Sequence, residues 1–408
     1  YPAGTMHRIR ATVMLLAAAV SCRPSAPRVP ELVLSVPHDV ETLDPHARDR
    51  TADAVVAAHL YDGLVALDRE MGVRPALAES WSSPDDLTWV FTLRDGPSFP
   101  GGRPVVADDV VATLERLKSR ADLEFGLYAA GIESARARDA RTVVLRTKSP
   151  SAILLNKLAS IAIVPRGAGS SLATRPEGTG PYRLAAFGAR VLRLVRNETW
   201  WGPKPAARDV TILLGRSAAE AAEDVASGRS SVGQCSTRAA AAIAGRQPGV
   251  TLVRRAGLGV KYLGFDVAGG EPPGGCDPAR PFRSRLVREA VSRAIDRSAL
   301  VESLPVFARP ATRLIPAGVF GHDPREKGAS FDVAGARELL SRAGFRSGLD
   351  ATLDTRRGGL PMASRIAELL APAGFRVRAV EHPEAEFFDR ARKGELGFFF
   401  SAFVCASG

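Results

Sequence analysis

The sequence predicts an alternating α/β fold, and three observations support this prediction. Residues 87–96 alternate between apolar and polar side chains, which is typical of a strand that buries one face. Apolar residues recur at helical spacing in several segments, most regularly at 283–304. Two helix-then-strand units, whose helices both end in LL-x-x-AGF, lie near the end of the sequence. At about 150 residues a domain, a chain of 408 residues is long enough for two or three domains.

The chain opens with a segment that is typical of an export signal. From Met6, basic residues precede a run of apolar and small residues that ends at Cys22 and is too short to span a bilayer. A cysteine at this point resembles the bacterial lipoprotein signal, in which the thiol is lipidated. We therefore expect a signal at residues 1–22, a lipid anchor on Cys22 and a Pro-rich tether at 23–30. A plain secretory signal is the alternative, and both place the mature chain outside the cytoplasm.

Between the tether and residue 215 the pattern is mainly one of strands joined by turns. Strands are predicted at 32–40, 87–96, 141–147 and 210–215, with a hairpin at 182–197 that turns at Gly188. In the second of these strands, one face carries Trp89, Phe91 and Leu93. A helix is predicted at 107–120, in which Asp108 can cap the N-terminus and the buried stripe consists of Val110, Val111, Leu114 and Leu117.

Helices and strands alternate in the second half of the chain. A helix is predicted at 217–226, and a strand at 250–255 follows it. The Gly- and Pro-rich loop at 268–281 is the clearest break in the chain, and the helix at 283–304 comes directly after it. Two further helices are predicted at 331–345 and 362–375, and each has a glycine at its C-cap position, Gly344 and Gly374. A strand follows each helix, at 350–355 and at 375–381.

Charge and cysteine content exclude several kinds of site. The formal charge is +11, but the arginines are scattered and aromatic residues make up only 6%, so we expect a solvated basic surface and no nucleic-acid binding. The four cysteines form no C-x-x-C pair and stand at no zinc-ligand spacing from a histidine. The sequence therefore predicts no metal site.

Catalytic and nucleotide-binding motifs are also absent from the sequence. Asp108 and Asp109 are adjacent, so on a helix their side chains point about 100° apart and cannot share a proton. His46 and His382 stand alone, and isolated histidines are usually surface or core residues. We expect no catalytic residue, no cofactor and no enzymatic activity.

Eight segments occur in the same order as the characteristic segments of one protein family, and with similar spacing. They are ETLDPH, LYDGLVALD, RPALAESWSSPDDLTWVFTLRDGPSFPGGRPVVADDVV, GTGPYRL, RNETWWG, YLGFDV, PFRSRLVREAVSRAIDRSALVE and FDVAGARELLSRAGF. On these segments the sequence resembles bacterial extracytoplasmic solute-binding proteins of the oligopeptide, dipeptide and nickel type (family 5), the receptors of ABC importers. The resemblance covers most of residues 32–400.

The resemblance implies a two-lobed, periplasmic-binding-protein-like α/β fold of the class II type, with a subdomain inserted in the first lobe. Such lobes close on a ligand by hinge motion, and the transporter recognises the closed form. The family's chains continue beyond the position of Gly408, so we expect the C-terminal part of the second lobe to be missing. The implied segments are 31–75 and 178–265 for the first lobe, 76–177 for the inserted subdomain and 266–408 for the second lobe.

The resemblance also implies three walls around a ligand, which in peptide-binding relatives lies extended like an added strand. The loop after LDPH supplies the first wall, and the segment KYLGFDV supplies the second. The third wall falls near the end of the sequence. Wall by wall, the candidate contacts are Asp49, Arg50 and Thr51; Tyr262, Phe265 and Asp266; and Ala402 and Phe403.

The third wall departs from the family pattern. In peptide binders it resembles Gly-Trp-x-x-Asp, whose aspartate pairs with the α-ammonium group of the ligand. Here Ala402 and Phe403 take the Gly-Trp positions, and Ala406 or the serine after it takes that of the aspartate. A buried ammonium group without an anion costs several kcal/mol, so the site is expected to disfavour a free peptide N-terminus unless Asp49 or Asp266 supplies the charge. A peptide is therefore only the leading ligand class.

Together these features predict an exported, lipid-anchored receptor that binds a peptide or similar small solute and delivers it to an ABC permease in the membrane. We expect it to act as a monomer. If Cys22 is lipidated, Cys276 and Cys405 are the first choice for a disulfide, because both fall in the predicted second lobe in an oxidising compartment. Two alternatives stay open, a sensing receptor for a chemoreceptor or sensor kinase and a receptor for nickel or haem.

Overall fold

The computed structural model describes residues 31–48, 51–255, 257–271, 276–317, 319, 321–325 and 328–404. The predicted signal, tether and lipidation site at residues 1–30 lie outside the described residues, as do Asp49, Arg50 and Cys405. Within the described part of the chain, no helix is long and apolar enough to cross a membrane.

Strands and helices are interspersed along the chain. The strands are β1 (Leu32–Ser35), β2 (Val65–Leu67), β3 (Val73–Pro75), β4 (Ala78–Ser82), β5 (Thr88–Leu93), β6 (Ile132–Ala137), β7 (Thr142–Thr147), β8 (Tyr182–Phe187), β9 (Val191–Arg196), β10 (Asp209–Leu213), β11 (Val232–Gly233), β12 (Gly259–Phe265), β13 (Leu349–Arg356), β14 (Phe375–His382) and β15 (Phe398–Val404). The helices are α1 (Thr51–Leu60), α2 (Ala107–Ser119), α3 (Gly126–Ala129), α4 (Leu154–Ser160), α5 (Ala218–Ala226), α6 (Arg238–Ala244), α7 (Arg285–Ala294), α8 (Arg297–Ser303), α9 (Val333–Arg342), α10 (Leu360–Leu370) and α11 (Glu384–Arg392).

The first sheet has the strand order β11-β1-β10-β9-β8. β1 runs parallel to β10 and β11, whereas β8, β9 and β10 are antiparallel neighbours. The predicted hairpin is formed by β8 and β9, and the backbone N–H of Gly188 closes its turn on the carbonyl of Val191 at 2.9 Å. Alternating apolar residues of this sheet pack on the end of α1 in a cluster that includes Leu60, Tyr61, Leu192, Leu194, Val210 and Ile212.

The second sheet is antiparallel throughout, with the order β4-β5-β7-β6. Phe91 and Leu93 of β5 are buried as predicted, and Trp89 packs partly buried against the same cluster. The apolar stripe of α2 covers this sheet through Val110, Leu114 and Leu117, whereas Val111, also predicted in the stripe, is only half-buried. The predicted helix over 107–120 and the strands over 87–96 and 141–147 are therefore confirmed.

The third sheet has the order β12-β15-β13-β14. β13, β14 and β15 are parallel, and the edge strand β12 is antiparallel to β15. Helices α7, α9 and α10 pack on one face in an apolar cluster with Leu353, Phe375 and Phe398. Gly344 and Gly374 follow the helical segments in the left-handed region at φ of 98° and 99°, as the C-cap prediction requires.

The N-terminus of α2 is capped by Asp109, so the prediction that Asp108 caps it was wrong. Asp109 lies at the third helical position and reaches back to the backbone N–H of Val106, with 3.0 Å between Oδ2 and N. Its carboxylate is buried and also accepts hydrogen bonds from the Arg103 guanidinium and the Arg166 backbone N–H. Asp108 is exposed because the second helical position points away from this loop.

Two further predictions were wrong. Residues 250–255 form no strand, and residues 251–255 are exposed and pair with none of the described strands. The helix predicted over 283–304 is interrupted at Ile295 and Asp296, which take extended backbone conformations. The Asp296 carboxylate accepts hydrogen bonds from the backbone of Ser298 and Ala299 and so caps α8 as a separate helix.

Apolar packing connects segments on both sides of the predicted domain bounds. Leu64 and Val65, which fall in the predicted first lobe, pack in the cluster of the second sheet. Val164 and Leu172, which fall in the predicted inserted subdomain, pack in the cluster of the first sheet. The residue bounds of the domains stay predictions.

Candidate ligand-binding cleft

The carboxyl ends of parallel strands are the usual ligand-binding edge of an open α/β sheet. In the first sheet this edge lies beyond Ser35, Leu213 and Gly233, where the chain turns away from β1, β10 and β11. In the third sheet it lies beyond Arg356, His382 and Val404, beside the start of β12. The chain passes from the first sheet to the third at the start of β12. The carboxyl-end edges of these two sheets are therefore the candidate walls of a cleft.

An aromatic face lies on β12 and β15. Tyr262 is paired with Ser401, and Val260 is paired with Phe403. Because side chains alternate along a strand, Tyr262, Phe399 and Phe403 share one face of the sheet. The Tyr262 ring lies with its centroid 5.7 Å from that of Phe403 and 6.3 Å from that of Phe399. The structure therefore brings together two predicted contacts, Tyr262 and Phe403.

Phe399 is a member of this face that the sequence prediction missed. Its ring lies across Gly264, where a Cβ atom would overlap with it. It also meets Phe387 of α11 edge-on, at a centroid distance of 5.9 Å. The alternation in FFFSAFV was the signal that could have identified Phe399, since it places the residues at 399, 401 and 403 on one side.

Phe265, a predicted ligand contact, lies on the opposite face of β12. Its ring stacks on Phe398 and Phe282, at centroid distances of 5.3 and 5.5 Å, and packs against the core of the third sheet. Ala402 alternates with Phe403 and faces the same side as Phe398. The structure does not bring Phe265 or Ala402 together with the Tyr262–Phe403 pair.

Asp266 follows the far end of β12. Its backbone N–H donates to the carbonyl of Gly397 at 3.0 Å, and its carboxylate accepts from the backbone N–H of Ala268 at 2.9 Å and lies 4.0 Å from Arg280. It lies six positions along the chain from Val260, the partner of Phe403, which is about 20 Å at 3.3 Å a residue. Asp266 is therefore placed to hold a turn at the other end of the sheet.

The first predicted wall is described only in part. Ala47 packs against the cluster of the second sheet, and Thr51 begins α1. The Arg48 guanidinium pairs with Glu124 at 3.2 Å and with Glu41 at 4.0 Å. These contacts hold the loop against the second sheet up to the residue before Asp49.

The LDPH turn carries a buried ionic group. The Arg116 guanidinium donates to both carboxylate oxygens of Asp44, at 2.6 and 3.3 Å, and to Nδ1 of His46 at 2.7 Å. His46 Nε2 lies 2.8 Å from the carbonyl oxygen of Ala162. Burial, aided by the charge of Arg116, lowers the pKa of His46 to about 4. The ring is therefore neutral, with Nε2–H donating to Ala162, and holds the turn in place.

Three of the segments that carry the family resemblance meet at Asp62. Its Oδ2 accepts hydrogen bonds from the hydroxyl of Thr179 at 2.9 Å and from the indole N–H groups of Trp201 at 2.9 Å and Trp200 at 3.3 Å. Burial raises the pKa of this carboxyl above its usual range. This group is structural, and sequence reasoning missed it.

A second histidine, His382, is also engaged in structure. Its Nε2 lies 2.7 Å from Oδ1 of Asp354, on the face of the third sheet that α11 covers, and Arg390 of that helix lies 3.3 Å from both ring nitrogens. Among the described residues, no group of three or more His, Cys, Asp or Glu side chains is arranged to hold a metal ion.

Cavities on the surface of the described part of the chain include the following two. The larger, about 680 Å³, lies near the start of β13 and β14 and is lined by residues such as Arg337, Arg346 and Arg376. The smaller, about 440 Å³, lies between α6 and the segment after α8, beside Arg238, Leu252 and Phe307. Neither of these two cavities is lined by a predicted ligand contact that the structure describes.

The family model of bacterial extracellular solute-binding proteins, family 5 Middle, matches residues 72–406. The chain belongs to this family. The glutathione-binding protein GsiB of Escherichia coli O1:K1 / APEC is 29% identical over 365 residues, which are 86% of this chain and 68% of that protein. The protein is thus a solute-binding protein of family 5.

Solved structures share the fold. The periplasmic binding protein DppA from Helicobacter pylori, in complex with the peptide STSA, is 23% identical, with a TM-score of 0.72 over 92% of this chain and 78% of that one. NikA from Brucella suis, in complex with Fe(III)-EDTA, is 22% identical, with a TM-score of 0.76 over 92% of this chain and 79% of that one. The predicted two-lobed α/β fold of this family is confirmed.

Proposed function

We propose that this protein is the receptor of an ABC importer and captures a peptide or a similar small solute between its two lobes. Lobe closure makes the bound form distinct from the free form, and the permease recognises that difference. No bond is made or broken in this mechanism. The receptor is a monomer outside the cytoplasm, held to the membrane by a lipid on Cys22.

The aromatic face of the third sheet carries the proposal. Tyr262 and Phe403 offer a half-exposed apolar surface at the carboxyl end of the sheet, beside β12, which is the edge strand of this sheet among the described residues. An extended ligand can donate to and accept from the backbone of an edge strand, while its side chains rest on the rings. Asp49, Arg50 and Thr51 are the proposed contacts from the first lobe.

The relatives favour a peptide-like solute. GsiB is named for binding glutathione, and DppA was solved with the peptide STSA. In this chain, β15 carries no acidic side chain next to Phe403, so a free ammonium group would have no anion on that strand. We therefore propose a peptide-like ligand whose amino end is modified, or is met by Asp49.

Native mass spectrometry of the purified mature protein tests this function. We expect a folded protein that carries a peptide-like solute, released on unfolding and bound again in isothermal titration calorimetry. A folded protein that neither carries a solute nor binds any member of a broad peptide panel would contradict the proposal. Detergent-phase partitioning tests the lipid anchor separately. We expect the parent protein to partition into the detergent phase and the Cys22→Ser variant to stay in the aqueous phase.

A further inference from the structure

A contact between α6 and the segment after α8 joins the two lobes. Thr237, which precedes α6, forms an isolated antiparallel bridge with Val306. The backbone N–H of Arg238 donates to the carbonyl of Pro305 at 2.9 Å. Its guanidinium donates to the carbonyls of Val301 and Glu302 at 3.2 and 3.1 Å, at the C-terminal end of α8.

The two sides of this contact belong to different lobes. Ala240 and Ala244 of α6 pack with Ala222 of α5, and α5 packs on β11 of the first sheet. Leu300 of α8 packs against the cluster of the third sheet. The contact is therefore an interlobe contact, separate from the covalent crossing between α6 and β12.

The crossing segment passes directly beside this contact. The guanidinium of Arg254 lies over the ring of Phe307, 4.4 Å from its centroid, one residue after the bridge at Val306. A cavity of about 440 Å³ separates α6 from Phe307 and is also lined by Leu252 of the crossing segment. When two bodies rotate, points close to the axis move least, so a contact beside the crossing can persist in the open and closed forms.

We propose that Arg238 is a positioning residue for solute capture, which holds α6 against the end of α8 as the pivot on which the lobes turn. The inference rests on the proposed capture by lobe closure. A guanidinium fits this role because it donates to two carbonyls at once and carries a positive charge at a helix C-terminus. Without it, the lobes keep their folds but explore a wider range of relative orientations.

Double electron–electron resonance, which measures the distribution of distances between two spin labels, tests the proposal without any ligand. The labels are placed at Ala189, in the exposed β8–β9 turn, and at Ser364, exposed on α10, in the mature chain with its other cysteines replaced by serine. We expect Arg238→Met to broaden the distance distribution and to change the ratio of long to short distances about two- to fivefold, at an unchanged melting temperature. Arg246→Met, at an exposed position just after α6, is the matched control and leaves the distribution unchanged.

An Arg238→Met distribution that superimposes on that of the parent protein would overturn the proposal. If Arg238→Met does not fold, Arg238→Lys decides, because it keeps the charge but loses the two-pronged geometry. Partial broadening in that variant supports the pivot, and an unchanged width refutes it. Since the measurement needs no solute, a protein with an intact pivot that binds nothing would contradict the proposed function alone.

Discussion

The carboxylate of Asp62 accepts a hydrogen bond from the indole N–H of Trp201, with 2.9 Å between Oδ2 and Nε1. Trp200 and Thr179 donate to the same oxygen. The residue at 62 follows α1, and its three donors come from segments on either side of β8 and β9. One half-buried oxygen atom therefore joins the segment after α1 to the segments before β8 and after β9.

Loss of this acceptor is expected to destabilise the protein strongly. Asp62→Ala leaves two indole N–H groups and a hydroxyl without their partner, so we expect the free energy of unfolding to fall by about 2–4 kcal/mol. Urea unfolding followed by tryptophan fluorescence measures this change. Asp86→Ala, at an exposed loop position, is the control and is expected to stay within about 0.5 kcal/mol. Equal stability of the two variants would show that the Asp62 group contributes nothing.

Glycine is required where the GTGPYRL segment crosses the end of α1. A Cβ atom at Gly178 would overlap with the carbonyl oxygen of Leu60. We expect Gly178→Ala to cost about 3 kcal/mol or more, or to prevent folding, because backbone atoms cannot move aside as side chains do. Gly188→Ala is the control, since its nearest neighbour lies 3.7 Å away. Thermal unfolding followed by circular dichroism should separate the two variants, and a stable Gly178→Ala protein would contradict the close approach.

Most strands and helices could be predicted because their signals are local. Phe91 and Leu93 alternate along one strand, and Ser217 caps α5 through the backbone N–H of Glu220, three residues on. The strand at 250–255 failed because strand propensity has no effect without a partner strand. The break before α8 was missed because the apolar pattern continues through it almost without interruption. Asp296 caps α8 only because the backbone turns at Ile295.

The candidate site could be predicted only in part, because it depends on contacts between distant residues. Tyr262 and Phe403 were both chosen from the sequence, but their pairing depends on the register between β12 and β15. Phe265 lies three positions from Tyr262 on the same strand and therefore faces the opposite side of the sheet, where it packs against the core. The Asp62 group joins residues more than a hundred positions apart, and no local pattern indicates it.

Protonation of His46 is expected to link stability to pH. Its pKa is about 4 in the folded protein and about 6.5 in an unfolded chain, so between these values the unfolded state binds more protons. Stability from this group is complete above pH 6.5 and declines by about 3 kcal/mol as the pH falls to 4. Urea unfolding across this window should show a shallower pH dependence for His46→Gln than for the parent protein. The exposed His38→Gln is the control and should keep the full slope, and parallel curves for all three proteins would contradict the assignment.

The pairing of Cys276 with Cys405 stays a prediction that thiol chemistry can test. Burial raises the pKa of Cys276 and of Cys235, so labelling is done on unfolded protein, where both are accessible. We expect Cys235 to label without reduction, and Cys276 and Cys405 to label only after it. Mass spectrometry of the labelled peptides identifies each site. Labelling of both Cys276 and Cys405 before reduction would rule out the disulfide.

The aromatic face should determine ligand affinity without determining stability. Tyr262 and Phe403 contact each other on a half-exposed face, so truncation of either removes ring surface from the ligand and leaves the core cluster with Phe398 intact. We expect Tyr262→Ala and Phe403→Ala each to raise the dissociation constant of the co-purified solute by about 10- to 100-fold, the range of a central aromatic contact. Isothermal titration calorimetry measures the affinity, and the melting temperature shows whether the fold is kept.

Phe388→Ala removes a ring from α11 that is 41% exposed, and it should leave the affinity unchanged. If all three variants bound the solute equally well, the aromatic face would not supply the central contact, because truncation of a central, well-packed aromatic contact weakens binding measurably.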